Sequence, residues 1–121
     1  MAITFNESTK IFTLQTAETT YQMMVGRYNI LQHLYYGKRV DGSTMDYLLW
    51  GTDAGFSGNP YEAEGDRTFS LDIQPQEFPS QGVGDYRTSC IEAVNPDGTM
   101  AADFRYVSHE ITKGAYKILS L

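Results

Sequence analysis

The chain has 121 residues, 41% of them hydrophobic, so it is long and apolar enough for one small domain with a buried core. It contains no apolar run of about 18 residues, which excludes a transmembrane helix, and we expect no secretory signal because the N-terminus lacks a basic start followed by an apolar block. The net charge is −6, and residues 41–87 hold nine acidic side chains beside two arginines. Such a segment repels phosphate groups, which argues against nucleic acid and anionic membranes as partners.

The first forty residues show the alternation of a β-meander, in which successive strands are joined by short hairpins. Three segments, residues 10–16, 20–25 and 29–36, alternate between apolar and polar side chains. Short polar breaks separate them and are typical of hairpin turns. The sequence therefore predicts three consecutive antiparallel strands here.

Within the third segment, 29–36, strict alternation places Leu34 and Tyr36 on one face and His33 and Tyr35 on the other. Both faces are partly apolar. We therefore expect this strand to be covered on both sides of the sheet.

A turn and a short helix are predicted after the meander. Asp41 and Gly42 form a turn signal. Ser43 can accept a hydrogen bond from an orphan backbone amide, and Asp46 suits the first turn of a helix. We predict one or two helical turns within residues 43–50.

Residues 52–87 are too polar, and too rich in glycine and proline, for one strand or one helix, since they hold three of the four prolines. A long loop is costly to order and is usually retained for function. Its carboxylates, guanidinium groups and aromatic rings are the mixture that sugar-binding surfaces use, because hydroxyls need hydrogen bonds and the apolar face of a pyranose needs a flat ring. The segment is therefore the main candidate for a functional site.

Strands are predicted again after this loop. Residues 88–94 and 102–111 flank the turn signature at 95–98, Asn-Pro-Asp-Gly, so that a hairpin is expected. A further strand is predicted at 115–119. With the meander, these segments indicate an all-β, antiparallel fold.

No catalytic or metal-binding constellation is evident. Glycoside hydrolysis needs two carboxylates about 5 to 10 Å apart, and Glu62, Glu64 and Asp66 lie too close along one loop to flank a bond. His33 and His109 each lie on a predicted strand without a second ligand at metal spacing. No glycine-rich motif for a nucleotide opens a helix after a strand, so no cofactor is expected. A binding surface remains.

The two cations of the acidic segment, Arg67 and Arg87, have two open interpretations. One is pairing with Asp66 or Asp85, which would hold the loop in shape. The other is donation to a sugar hydroxyl or to the carboxylate of another subunit.

Cys90 is the only cysteine of the chain. It cannot form an intrachain disulfide, which fits the reducing cytoplasm and underlies a cytoplasmic assignment. We expect its side chain to be a small buried hydrophobe.

A series of short motifs resembles a known family. They are GFSGNPYE, DRTFSLD, PQEF, GVGDYR and AADFRYVSHEI, preceded by ITFNESTKIFTLQT and LQHLYYGKRV. In this order they resemble the N-terminal β-sandwich domain of α-galactosidases of the raffinose and melibiose type, glycoside hydrolase family 36. The resemblance covers nearly the whole chain. Ala54 departs from it, because relatives often carry a basic residue there.

The resemblance implies that residues 1–121 are one β-sandwich domain, or part of it, from an enzyme several times longer. Such an enzyme removes terminal α-linked galactose with retention, through an aspartate nucleophile and an aspartate acid/base on a (β/α)8 barrel. The nucleophile motif of the family, Lys-Trp-Asp, is absent, because Trp50 stands between Leu49 and Gly51. The chain alone is therefore expected to be inactive.

In enzymes of this family the N-terminal domain supports a tetramer, and its long loop can reach the active site of a neighbouring subunit. The resemblance carries this role to five residues: Asp53, Phe56, Asn59, Tyr61 and Arg67. Hydrogen bonds to galactose hydroxyls are expected of the Asp and Asn, a pocket wall of the Phe, and a hydroxyl contact or a loop brace of the Arg. The alternatives are a free-standing carbohydrate-binding module and a pure oligomerisation domain.

Overall fold

The computed structural model describes residues 2–53, 55 and 58–112. One four-stranded antiparallel sheet lies at its N-terminal end, with strands in chain order: β1 Ala2–Asn6, β2 Ile11–Gln15, β3 Thr19–Val25 and β4 Leu31–Lys38. The all-β prediction and the meander are confirmed, and β1 is an additional strand. Within the described ranges this is the one sheet, so the second layer of a sandwich stays a prediction.

Side chains of the turns fix the first two hairpins. Asn6 Oδ1 accepts hydrogen bonds from the backbone amides of Ser8 and Thr9, at 2.9 and 3.1 Å. Thr16 Oγ1 accepts one from the amide of Thr19 at 2.9 Å. Such local bonds replace ladder bonds where each strand ends, which is why short polar breaks mark the turns.

A β-bulge in β4 overturns one predicted face. The register pairs Gln22 with Tyr35 but Met23 with His33, which leaves Leu34 as the extra residue. An extra residue reverses the alternation beyond it. Tyr36 therefore lies on the same face as His33, and both rings contact Tyr21, at centroid distances of 6.0 and 5.2 Å.

One face of the sheet is covered by the segment that follows β4, as predicted for one of the two sides of this strand. A buried cluster joins Ile11, Leu34 and Met45. The side chain of Gln22 in β3, which is 2% exposed, holds this segment against the sheet through two hydrogen bonds. It donates to Ser43 O at 2.9 Å and accepts from the Met45 amide at 3.0 Å. The predicted helix is a single 3-10 turn, Asp46–Leu48.

The described part of residues 52–87 is a long loop, as predicted, and it contains a 3-10 turn at Tyr61–Ala63. Gln76 of this loop forms an isolated bridge with Gln32 of β4. The loop is anchored by a second buried cluster of Ile30, Phe69 and Leu71. Burial of these side chains fixes the middle of the loop against the start of β4, while its outer parts stay exposed.

The hairpin predicted at 88–94 and 102–111 is wrong, because the described part of these segments contains no strand. Their backbone amides bond to other segments instead: Cys90 donates to Pro79, Ala102 to Gln81 and Tyr106 to Asn29. The turn itself is present, since Gly98 N donates to Asn95 O at 2.9 Å. The strand predicted at 115–119 lies outside the described residues.

Cys90 is exposed, so its prediction as a buried hydrophobe is wrong. In the described ranges there is no helix with the length and apolarity needed to cross a bilayer.

Candidate functional site

Asp66 is the centre of the hydrogen bonds that shape the first half of the loop. Its Oδ1 accepts from the amide and hydroxyl of Thr68, at 2.9 and 2.6 Å. Its Oδ2 pairs with Arg27 Nη2 at 2.6 Å, which ties the loop to the turn before β4. The Thr68 hydroxyl, followed by the Arg27 guanidinium, lowers the pKa of Asp66 to about 2.

Replacing Thr68 with valine is expected to raise the pKa of Asp66 from about 2 toward its ordinary value of 3.8, because the hydroxyl donor is lost while the shape is kept. A lowered pKa means that Asp66 contributes fully to stability above pH 3.8 and loses this contribution as the pH falls toward 2. NMR titration of the carboxyl carbons measures the change.

The matched control lies in another turn. Thr99 donates from its amide and hydroxyl to Asp97 Oδ1, at 2.9 and 2.8 Å, and these bonds lower the pKa of Asp97. The substitution Thr99→Val should raise the pKa of Asp97 and leave that of Asp66 unchanged. An Asp66 pKa unaltered by Thr68→Val would contradict the assignment.

The outer end of the loop is a tight turn. Asn59 Nδ2 donates to Asp66 O at 2.7 Å and closes its base. Glu64 and Gly65 both have positive φ, 48° and 85°, which reverses the chain after the 3-10 turn. Tyr61 stands on this turn and is 95% exposed. Asn59 therefore braces the turn, and the ring of Tyr61 is presented to solvent.

Asp53 and Arg67 are brought together across the base of this turn. Arg67 Nη2 lies 2.9 Å from Asp53 Oδ1, and the two side chains are 58% and 60% exposed. Asp53 Oδ1 also accepts from the Gly55 amide at 2.9 Å. Phe56, the remaining predicted site residue, lies outside the described residues. Arg67 thus pairs with Asp53 and not with Asp66, the partner considered from the sequence.

Asp85 and Arg87 hold the second half of the loop, as one of the two interpretations predicts. The Asp85 side chain is 1% exposed, and Arg87 Nη2 lies 2.7 Å from its Oδ2. The same nitrogen donates to Leu71 O and Gln74 O, both at 2.7 Å. Burial acts to raise the pKa of Asp85, but the hydrogen bonds and charge of Arg87 outweigh it and keep that pKa below its ordinary value.

The two halves of the loop come into contact at Gly58 and Gly84, where the backbones are too close for a side chain. A Cβ on Gly58 would lie 2.6 Å from Gly84 Cα, and Gly84 has a φ of 95°. Any larger residue at Gly58 would separate the two backbones. This close approach brings the two halves of the loop into contact.

Sequence reasoning missed Arg27 and Thr68. The Asp-x-Thr spacing of Asp66 and Thr68 is a local signal for a carboxylate that caps a turn. Arg27 has no such signal, because its partner is 39 residues away along the chain. Trp50 is 74% exposed and lines a cleft beside the loop.

The chemistry of the exposed loop residues is that of binding. Asp53 offers carboxylate oxygens, Arg67 offers guanidinium donors, and Tyr61 offers a flat ring. Among the described residues, no three His, Cys, Asp or Glu side chains are grouped in a way that could hold a metal ion. The arrangement suits hydroxyl groups and a sugar face better than bond breaking.

Comparison with known proteins identifies relatives of the whole chain. The family described as "Glycosyl hydrolase family 36 N-terminal domain" matches residues 29–121. The bifunctional alpha-galactosidase/sucrose kinase AgaSK of Mediterraneibacter gnavus is 52% identical over 121 residues, which are 100% of this chain and 13% of that protein. Alpha-galactosidase AgaA of Geobacillus stearothermophilus is 35% identical over 121 residues, 100% of this chain and 16% of that protein.

Solved structures agree with these relatives. The galactosidase domain of AgaSK superposes with a TM-score of 0.91 at 52% identity, over 98% of this chain and 16% of that one. A GH36 alpha-galactosidase AgaA variant from Geobacillus stearothermophilus, in complex with raffinose, superposes with a TM-score of 0.80 at 34% identity, over 91% of this chain and 15% of that one. This chain therefore spans only a small part of the length of the relatives it matches.

Proposed function

We propose that this chain, which belongs to the family of glycosyl hydrolase family 36 N-terminal domains, serves a longer cytoplasmic α-galactosidase that removes terminal α-linked galactose from oligosaccharides such as raffinose and melibiose. The names of the relatives support this activity, as does the raffinose complex of one of them. Catalytic carboxylates are supplied by the barrel of that enzyme. We expect residues 1–121 alone to show no turnover of a nitrophenyl α-galactoside.

The role of the domain is to support a homo-oligomer, which the family resemblance implies is a tetramer. The domain also presents its loop to the active site of a neighbouring subunit. One observation carries this proposal: Asp53, Arg67 and Tyr61 are 60%, 58% and 95% exposed although the loop beneath them is tightly braced. A small-molecule site usually buries about 70–90% of its ligand. These side chains cannot enclose a sugar alone, so a second surface must complete the site.

In that completed site each predicted residue has a distinct role. Asp53 accepts hydrogen bonds from galactose hydroxyls, and Arg67 holds Asp53 in place and donates to a hydroxyl. Phe56 and Tyr61 form apolar wall, while Asn59 keeps the turn in shape through its bond to Asp66 O. None of these groups breaks the glycosidic bond.

Subunit complementation tests the proposal directly. Two variants of the full-length enzyme are co-expressed with different tags: one carries Asp53→Ala, and the other an intact loop with its barrel nucleophile replaced. Mixed oligomers, purified through both tags, should recover activity toward raffinose, because an intact loop meets an intact barrel across the interface.

Other outcomes of this experiment favour other roles. A loop that serves its own barrel would leave the mixed oligomers as inactive as the parents. A pure oligomerisation domain would leave the kinetics of Asp53→Ala unchanged while the tetramer is lost. Saturable sugar binding by the isolated chain through Asp53 and Tyr61 would favour a carbohydrate-binding module.

A further inference from the structure

A cleft of about 450 Å³ opens beside Trp50, and its described lining contains none of Asp53, Asn59, Tyr61 and Arg67. Its walls are formed by residues from β3, from the turn before β4, from β4, from the segment 49–51 just before the long loop, and from the middle of that loop. The volume lies within the usual range for small-molecule sites, about 300–1,000 Å³. It is large enough for one or two sugar rings.

Trp50 forms the rim of the cleft and is held there by its neighbours in the chain. Leu49 packs against the buried cluster of the sheet. The backbone of Gly51 lies against Thr68, since a Cβ at Gly51 would come within 2.8 Å of Thr68 O. The indole is nevertheless 74% exposed. An exposed indole offers a flat apolar surface with one N–H donor.

Two buried amides also line the cleft. Gln32 and Gln74 are only 3% and 4% exposed, and Gln32 Nε2 donates to Gln74 Oε1. Gln74 Nε2 has no acceptor among the described residues. In the same part of the chain every fully buried polar side-chain atom has a partner, so this amide must be reached by solvent. An almost buried donor at a cleft wall can bind a hydroxyl oxygen.

The charges around the cleft are already balanced. Arg27 lies in the lining with its guanidinium 5.1 Å from the centroid of the Phe69 ring, and it pairs with Asp66 at 2.6 Å. Thr68 donates its hydroxyl proton to Asp66 and can still accept. The lining therefore provides no unpaired charge for an ion, but it provides donors and acceptors beside an aromatic ring.

We infer that this cleft binds one or two rings of a neutral saccharide, with the apolar face of a pyranose stacked on Trp50 and a hydroxyl accepting from Gln74 Nε2. The inference does not depend on the role of Asp53 or on a neighbouring subunit. It adds a second sugar contact on the same domain.

Raffinose is the probe, and the 121-residue chain is the sample. Trp50 is the only tryptophan, so raffinose should cause a saturable change in intrinsic fluorescence. A dissociation constant on the order of 1 mM is expected for a shallow site of this kind. Saturation-transfer NMR on the sugar measures the same constant in variants that lack the indole.

The variant Trp50→Leu should weaken raffinose binding by about tenfold, because the stacking surface is lost. The matched control is Tyr47→Leu, since Tyr47 is 73% exposed but does not line the cleft. It should bind raffinose like the parent chain.

Several results would overturn the inference. They are the absence of a saturable response to raffinose, equal weakening by Trp50→Leu and Tyr47→Leu, and tighter binding of adenosine than of raffinose. Loss of binding in Asp53→Asn alone would place the sugar on the loop and not in the cleft. Failure of subunit complementation, by contrast, would leave this result unaffected.

Discussion

Replacement of Asp53 with asparagine in the full-length enzyme is expected to lower kcat/KM for raffinose by roughly 10- to 100-fold, since a hydrogen bond to a charged group contributes about 1.5–3 kcal/mol. The carboxylate accepts from Arg67 at 2.9 Å, and asparagine has the same shape without the charge. Galactose loses a charged acceptor, and Arg67 loses the partner that orients it. Steady-state kinetics with raffinose measures the effect.

The control for Asp53→Asn is Asp41→Asn. Asp41 pairs with Arg39 at 2.9 Å and is 70% exposed, so the two ion pairs are alike in length and exposure. Only the Asp53 pair lies on the loop, so the kinetics of Asp41→Asn should match those of the parent enzyme. Equal losses in both variants, with the oligomer intact, would show that Asp53 has no specific role at the sugar.

Replacement of Arg87 with methionine is expected to lower the free energy of unfolding by about 3 kcal/mol, because it leaves a buried carboxylate without its charged partner. Asp85 is 1% exposed on its side chain, and Gln76 would remain as its one side-chain donor among the described residues. The carbonyls of Leu71 and Gln74 would lose a donor as well. Urea unfolding at pH 7 gives the difference.

Arg39→Met is the control for this loss, since the Arg39 and Arg87 side chains are 43% and 42% exposed. The partner of Arg39 is Asp41, which is itself exposed, so the cost should stay below about 1 kcal/mol. Similar destabilisation in both variants would contradict a special role for the buried pair.

The pH dependence of the Arg87→Met effect has a definite sign. Because the pKa of Asp85 is lowered in the folded state, its stabilising contribution is complete above the ordinary value of 3.8 and is lost as the pH falls below it. The difference between parent and variant should therefore narrow when unfolding is repeated at acidic pH. A difference that widens in acid would exclude Asp85 as the source.

Local pattern was sufficient for the elements whose partners are adjacent in the chain. The meander was predictable because β2, β3 and β4 pair with their sequence neighbours, so period-two alternation and polar turns specify them. The Asp85 and Arg87 pair was predictable for the same reason, since its members are two residues apart. The family motifs added the loop as the candidate site.

Sequence patterns gave wrong predictions where the structure depends on a contact between residues far apart along the chain. The bulge at Leu34 depends on how β4 pairs with β3, and alternation within β4 alone does not reveal it. Residues 88–94 and 102–111 have strand-like composition, yet their amides bond to other segments of the chain. A strand needs a ladder partner, and composition does not specify one.

By itself the sequence determined that this chain builds an antiparallel meander followed by a long acidic loop, because both properties depend on neighbouring residues. Only the tertiary structure decided which charges meet. It paired Asp66 with Arg27, Asp53 with Arg67, and brought Trp50 beside Gln74 at one cleft. The physical reason is that ion pairs and clefts depend on distances in space, which chain folding sets independently of separation along the sequence.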